Sequence, residues 1–288
     1  MPGAARSKLV IVNADDFGWS DGVTDGILRA HQGGILTSTT IMANMPAAAR
    51  AARAAAQCPT LGVGVHLNVC QGPPLSPEGR RLAGPDGLMR QTATRLVLSC
   101  VRDLSLLGAV RCEFDAQVRW ALDQHLRPTH LDSHRHCHAF PPIFLIVCEL
   151  ARRYRLPAVR RHREVLPRRL WQAAPAKQRR SSRLLSVLGA FNRTLCSRLL
   201  PTCGTWGVAC TGFVTAAWLL RVASAVRPGV IEIMTHPGLS ENLDPSTSRL
   251  IESRTRELQA LCDPAVGREF SRQNIKLIHY GQIPHAAE

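Results

Sequence analysis

Leu9-Val10-Ile11-Val12-Asn13 is an unbroken apolar, β-branched run that stops at polar residues, the pattern of a buried strand. From Asp21 to His31 the apolar positions Val23, Ile27 and Ala30 fall on one side of a helix. The two periods then alternate. Thr37 to Asn44 and Leu61 to Leu67 read as strands, with the alanine-rich helix Ala47 to Gln57 between them. Glu113 to Leu126 and Pro142 to Tyr154 read as helices around a short strand segment from His130 to His134, and Ala158-Val159-Arg160 follows. Val230 to Met234 and Ile275 to Ile278 are late strands. Strands alternating with helices throughout predict an α/β fold with a parallel sheet, closed as a barrel or doubly wound. A chain of 288 residues can hold this as one domain, and no fixed-period repeat or low-complexity tract divides it.

The chemistry-bearing residues cluster directly after these strand runs, where parallel α/β sheets place their active sites. Asn13-Ala14-Asp15-Asp16-Phe17-Gly18 ends the first strand. Adjacent carboxylates on an extended backbone point to opposite sides, so one can bind a metal while the other acts as a base; the same residues also suit a capping turn. Gly64-Val65-His66-Leu67-Asn68 places one imidazole at a strand end, either as a metal ligand or as a hydrogen-bonded structural group. His130, Asp132, His134, His136 and His138 alternate with other residues, so an extended segment projects all five to one face, with Cys137 on the other. Met234-Thr235-His236-Pro237-Gly238 follows the late strand, with a turn at Pro237-Gly238, and makes His236 a candidate general acid. One Asp and two His leave a coordination position open for water, the mark of a catalytic rather than a structural metal site.

Charge adds a second theme. The formal net charge is +15, and residues 152–183 hold twelve Lys and Arg against the single acid Glu164. Lys8, Lys177 and Lys276 are the only lysines. Such a segment is either an anion-facing surface, for nucleic acid or acidic lipid, or compositional drift towards arginine. Within it, Leu184, Leu188, Phe191, Leu195 and Leu199 recur at helical spacing from Ser181 to Leu200, beside Arg180, Arg183, Arg193 and Arg198. That pattern describes a helix able to lie on an anionic membrane, or one that packs its leucines onto the barrel. The ten cysteines are scattered without a CxxC pair, as expected of buried reduced thiols. The apolar run Leu9 to Val12 is too short for a leader peptide, and no stretch is long enough to span a bilayer. A cytoplasmic chain is expected, with peripheral contact at the inner membrane if the basic segment binds lipid.

Taken together, Asn13 to Gly18, Val65 to Asn68, Asp132 to His136 and His236 to Gly238 resemble the YdjC-like carbohydrate deacetylase family in order and spacing. Gly34 to Thr40 and Ile275 to Gln282 extend the resemblance over nearly the whole chain. It implies a single domain, residues 1–288, folded as a distorted TIM-like (β/α) barrel, with a variable basic, leucine-rich insertion over 165–210. It further implies a divalent ion, Mg2+ or Zn2+, on Asp16, His66 and His134, with Asp15 as base and His236 as acid; the two aspartates' roles could be exchanged. His130, Asp132, His136, His138 and Arg160 are then expected to orient ligands or bind sugar. The implied reaction is hydrolysis of the acetyl group from an N-acetylated sugar, on an oligosaccharide or, as in a hopanoid-associated branch, on a lipid. Two alternatives remain on sequence grounds: a non-catalytic basic membrane- or nucleic-acid-associated protein on this fold, and a metal-dependent hydrolase of another amide or ester. No nucleic acid is expected as a partner on the favoured reading, which leaves the oligomeric state open.

Overall fold

The computed structural model describes residues 7–241, 243 and 248–284; residues 1–6 of the segment read as leaderless lie outside them. In chain order the elements are β1 (Lys8–Phe17), α1 (Asp21–Gly33), β2 (Ser38–Ile41), α2 (Ala48–Ala56), β3 (Gly62–Leu67), β4 (Gln71–Gly72), β5 (Met89–Arg90), α3 (Ala93–Arg102) and α4 (Leu106–Asp123). Then come β6 (Leu131–Ser133), α5 (Pro141–Arg153), α6 (Arg168–Ala173), α7 (Ala176–Leu195), β7 (Gly204–Trp206), α8 (Ala216–Ala225), β8 (Gly229–Thr235), α9 (Glu252–Leu261), α10 (Pro264–Arg272) and β9 (Ile275–Leu277). Every strand anticipated from an apolar run is present. The helix read from Glu113 starts earlier, at Leu106.

The main sheet is parallel and runs β6-β3-β2-β1-β8-β7. β1 is its axis: β8 pairs along one edge, while β9 and β2 share the other, β9 at Lys8 to Val10 and β2 from Asn13 onward. The irregular segment 158–163 closes the curl. Arg160 N–H donates to the Leu131 carbonyl of β6, and Thr205 N–H of β7 donates to the Arg163 carbonyl. One wall of the barrel is thus hydrogen-bonded but not a regular strand, which is the distortion the family resemblance implied. The small ribbon β4–β5 is separate and antiparallel.

The layering follows from side-chain alternation on the strands. Val10 and Val12 of β1 point outward into a large core with α1, α8 and α10. A second outer core joins Val65 and Leu67 of β3 to α3, α4 and α5. The inner face carries only a small apolar plug, Ile11, Ala158, Ile278 and Tyr280. Above this plug the barrel interior is polar. The stretch expected as an insertion, 165–210, consists of α6 and α7 on the outside followed by β7, which belongs to the sheet itself. The helix anticipated from Ser181 to Leu200 ends at Leu195; Leu199 lies beyond it, where its carbonyl accepts the Val159 N–H.

Candidate active site

Two layers of polar side chains sit on the inner plug. The lower is a sealed charge network around Arg160, which is fully buried. Its guanidinium donates to both Asp15 oxygens at 2.6 and 2.8 Å and to Glu232 at 2.7–3.1 Å, and it lies 2.8 Å from Asp132 Oδ2. Thr205 and Tyr280 hydroxyls donate to the same Glu232 oxygen at 2.6 and 2.8 Å. One buried arginine facing three carboxylates needs further donors on them, and these are the Thr205 and Tyr280 hydroxyls on Glu232, the Asn13 amide on Asp15 and the Thr40 hydroxyl on Asp132. Burial alone would raise the Asp15 pKa, but Arg160 outweighs it and holds the carboxyl well below its ordinary value.

The upper layer faces out. β1 bulges at its end, where Asp16 takes a left-handed backbone (φ 74°) and the pairing with β2 shifts register between Ala14 and Phe17. The bulge corrects one expectation. Strict alternation would send Asp15 and Asp16 to opposite faces, whereas both turn into the barrel interior, Asp15 to the lower layer and Asp16 to the upper. Asp16 Oδ1 lies 3.2 Å from His134 Nδ1 and 3.5 Å from His66 Nε2. On the opposite ring nitrogen, His66 Nδ1 bonds Asp132 Oδ1 at 2.7 Å, with Thr40 alongside at 3.2 Å. Burial disfavours the charged ring, but Asp132, Asp15 and Asp16 reverse this and lift His66 to about 9. Asp132 therefore accepts the Nδ1 proton, orients the ring and turns Nε2 towards Asp16. Burial pushes His134 the other way, below its ordinary value, despite its bond to Asp16.

The run of alternating histidines does not stay extended. β6 covers only Leu131–Ser133; Arg135 and His136 are left-handed (φ 54° and 56°), and the chain coils through Ala139. Only Asp132 and His134 reach the layer that holds Asp16. His130 is fully buried, stacked on Tyr280 at 3.8 Å, with its ring against Gly64 where no Cβ would fit. His138 is fully buried, bonded to Ser133 Oγ and the Arg160 carbonyl. Their burial closes both rings off from the cleft, so of the two roles expected of them, orienting ligands or binding sugar, the first is the one left to propose; Arg160 and Asp132, equally buried, contact Asp15 and His66. His136 remains half-exposed at the rim, edge-on to the buried His162, and burial holds it down at about 3. His236 lies with Nε2 4.0 Å from Asp15 Oδ2, too far for a hydrogen bond, and burial lowers it to about 4.

Beside the Asp16 layer a cleft of about 640 Å³ opens between β1's end and the β4–β5 ribbon, lined by Trp19, Met45, Gln71, Met89, Gln91 and Arg135 among others. Trp19, in the lining of the cleft, stands edge-on to His134 at 5.3 Å, so one side chain lies between the cleft and the Asp16–His134 pair. Asn68 shapes its wall: the side chain donates to Asn44 and the Gln71 carbonyl and accepts from Cys70 and Gln71 N–H.

With this geometry, similarity to known proteins can be placed on the fold. Residues 9–272 match the YdjC-like protein family. The chain belongs to that family. It is 34% identical to a carbohydrate deacetylase of Geobacillus stearothermophilus, across 96% of this chain and 98% of the relative. It is 30% identical to one of Brevibacillus brevis, across 95% and 99%. A crystal structure from Enterococcus faecalis, assigned to cellobiose-phosphate cleavage, superposes with a TM-score of 0.76 at 25% identity, covering 97% of this chain and all of that one.

Four residues of this YdjC-like chain escape sequence reasoning. Glu232 has a visible signal, an acid inside the apolar run Val230 to Met234. Trp19, Arg254 and Glu257 have none. Arg254, fully buried on α9, donates to Asp16 Oδ2 at 2.6 Å and lies 5.6 Å over Trp19. Burial would raise the Asp16 carboxyl; Arg254 and then His134 hold it well below its ordinary value. One turn on, Glu257 accepts the His236 backbone N–H at 2.6 Å and that of Gly212 at 3.0 Å. A single helix end therefore steadies both sides of the mouth.

Proposed function

We propose that this chain is a metal-dependent hydrolase that removes the acetyl group from an N-acetylated sugar, with Asp16, His66 and His134 holding one divalent ion. The observation that carries this reading is Asp16 Oδ1 between two imidazole nitrogens at 3.2 and 3.5 Å. Ligands about 2.0–2.1 Å from a tetrahedral ion stand about 3.3 Å from one another, so the spacing suits an ion with little rearrangement. The second grouping of ligand-type residues, Asp15, His66 and Asp132, is already bridged by Arg160 and by the His66–Asp132 bond. That favours Asp16 over Asp15 as ligand. Two imidazoles and one carboxylate suit Zn2+ better than Mg2+, which prefers all-oxygen sites and retains its waters.

When bound, the ion would polarise the acetyl carbonyl and lower the pKa of a water molecule beside it. The chain's own groups do the rest. Asp15, kept ionised by Arg160, accepts the proton of the attacking water. His236, neutral at rest and 4.0 Å away, takes that proton from Asp15 and delivers it to the amine nitrogen as the C–N bond breaks. Free acetate and the amino sugar leave. The cleft, with Trp19 and polar Gln71 and Gln91 in its lining, has room for a small oligosaccharide. Acetate release from N-acetylglucosamine, chitooligosaccharides and glycolipids, before and after chelation and metal add-back, tests the reading. Release from at least one substrate, lost on chelation and restored by Zn2+, is expected; no release from any of them with metal bound would overturn it.

A further inference from the structure

α7 is built inside out. Helices on a barrel normally turn their apolar stripe inward. Here the buried positions are Gln178, Ser182, Gly189 and Asn192. Each is tied down: Gln178 donates to the Thr211 carbonyl at 2.8 Å, Ser182 to Glu164 at 2.6 Å and Asn192 to the Ala139 carbonyl at 3.0 Å, while Gly189 presses on the His162 backbone where no Cβ would fit. These bonds fix the rotation of the helix. The opposite side carries Leu184, Val187, Phe191 and Leu195, exposed to 60, 67, 51 and 38%. With the half-buried Leu188 they span about 100° of arc. A contiguous apolar stripe of this kind, held outward by specific polar bonds, marks a contact surface.

Charge identifies what it contacts. No acidic residue occurs between Glu164 and Glu232. Lys177, Arg180 and Arg183 are exposed along the N-terminal half of the helix, and Arg193 and Arg198 at the other end. A second copy packed on this stripe would offer no acid from its own α7 to face Lys177, Arg180 and Arg183. An anionic lipid surface accepts both the apolar stripe and its cationic border. We propose that the exposed Leu184–Val187–Phe191–Leu195 stripe of α7, bordered by Lys177, Arg180 and Arg183, docks the protein on an anionic lipid bilayer. α7 also rests on the turn after His134, through the Asn192 bond to Ala139, so the docked helix is one layer from the candidate site.

Flotation of the purified full chain with vesicles of phosphatidylcholine alone, or mixed with phosphatidylglycerol, tests this. Binding to the anionic vesicles only, weakened about tenfold or more by added salt, is expected. Leu184→Glu with Phe191→Glu should abolish binding and leave the melting temperature and the activity on a soluble substrate unchanged, because both side chains are exposed. Arg180→Glu with Arg183→Glu should remove the preference for anionic lipid. Equal or absent binding to the two vesicle types would overturn the proposal, as would a Leu184/Phe191 variant that still floats. Light scattering that reveals a dimer broken by the same pair of substitutions would assign the stripe to a second copy instead.

Discussion

Asp15 and Asp16 are consecutive, each 2% exposed, and each gripped by a buried arginine, yet they sit in different settings. Asp15 looks down into a sealed network in which Arg160 also serves Asp132 and Glu232. Asp16 looks up at two imidazoles and a cleft, and Arg254 touches only its far oxygen. If Asp16 is the ligand and Asp15 the base, as proposed, what separates them is which nitrogen atoms remain free nearby. Around Asp15 every close donor is committed to a carboxylate; around Asp16 two ring nitrogens are available to share an ion.

The sharpest break in that comparison is removal of the ligands. His66→Ala or Asp16→Asn should abolish metal retention and activity, with metal content measured on the purified variants. Asp15→Asn should keep the metal and lose about 10²–10⁴ in turnover. The opposite pattern, with Asp15→Asn metal-free and Asp16→Asn loaded, would exchange the two roles. Next in size is Arg160→Met, which strands three buried carboxylates and should destabilise the fold by about 3–5 kcal/mol in urea unfolding; a loss below 1 kcal/mol, roughly the value of an exposed pair, would contradict the sealed network. Arg254→Met removes the donor on Asp16 Oδ2 and should weaken metal affinity about 10–100-fold by calorimetry, with Arg254→Lys restoring part of it. If affinity is unchanged, Arg254 is merely structural.

The smallest effect is a slope. Burial lifts the Glu257 carboxyl from an ordinary 4.5 to about 7, against the backbone N–H of His236 that favours its charge. The folded state thus favours the protonated acid. That contribution is complete below about pH 4.5 and is lost as pH rises through about 7. Glu257→Gln carries no titratable proton, so its stability should decline less than the parent's across that window. Parallel stability–pH curves would remove Glu257 from the account.

Much of the site is legible in the amino-acid sequence. His66 and the Asp15–Asp16 pair each follow an apolar run, and a run that stops at polar residues marks a strand end on the working face of an α/β fold, while His134 is legible only by the crowd of histidines around it. Alternation overvalues His130, which lies a layer too deep against Tyr280, and His138, because left-handed Arg135 and His136 end the alternation after Ser133. Arg254 and Glu257 are invisible because α9 is largely polar, and nothing local separates a solvated arginine from one inserted beside Trp19. The leucine spacing of α7 is visible, but not which way the stripe faces.

Local pattern determined the order of strands and helices, the parallel α/β class and the places where the candidate metal-binding side chains emerge, because an apolar period and its polar stop are properties of adjacent residues. Tertiary structure decided the partners. Asp16 meets His134 across 118 positions, Asp15 meets Arg160 across 145, and Asp16 meets Arg254 across 238. Charges in a sealed interior are governed by whichever donors the fold brings within about 3 Å, and sequence spacing does not encode that distance. The same holds for α7, whose rotation is fixed by Glu164, Thr211 and Ala139 rather than by its own apolar period.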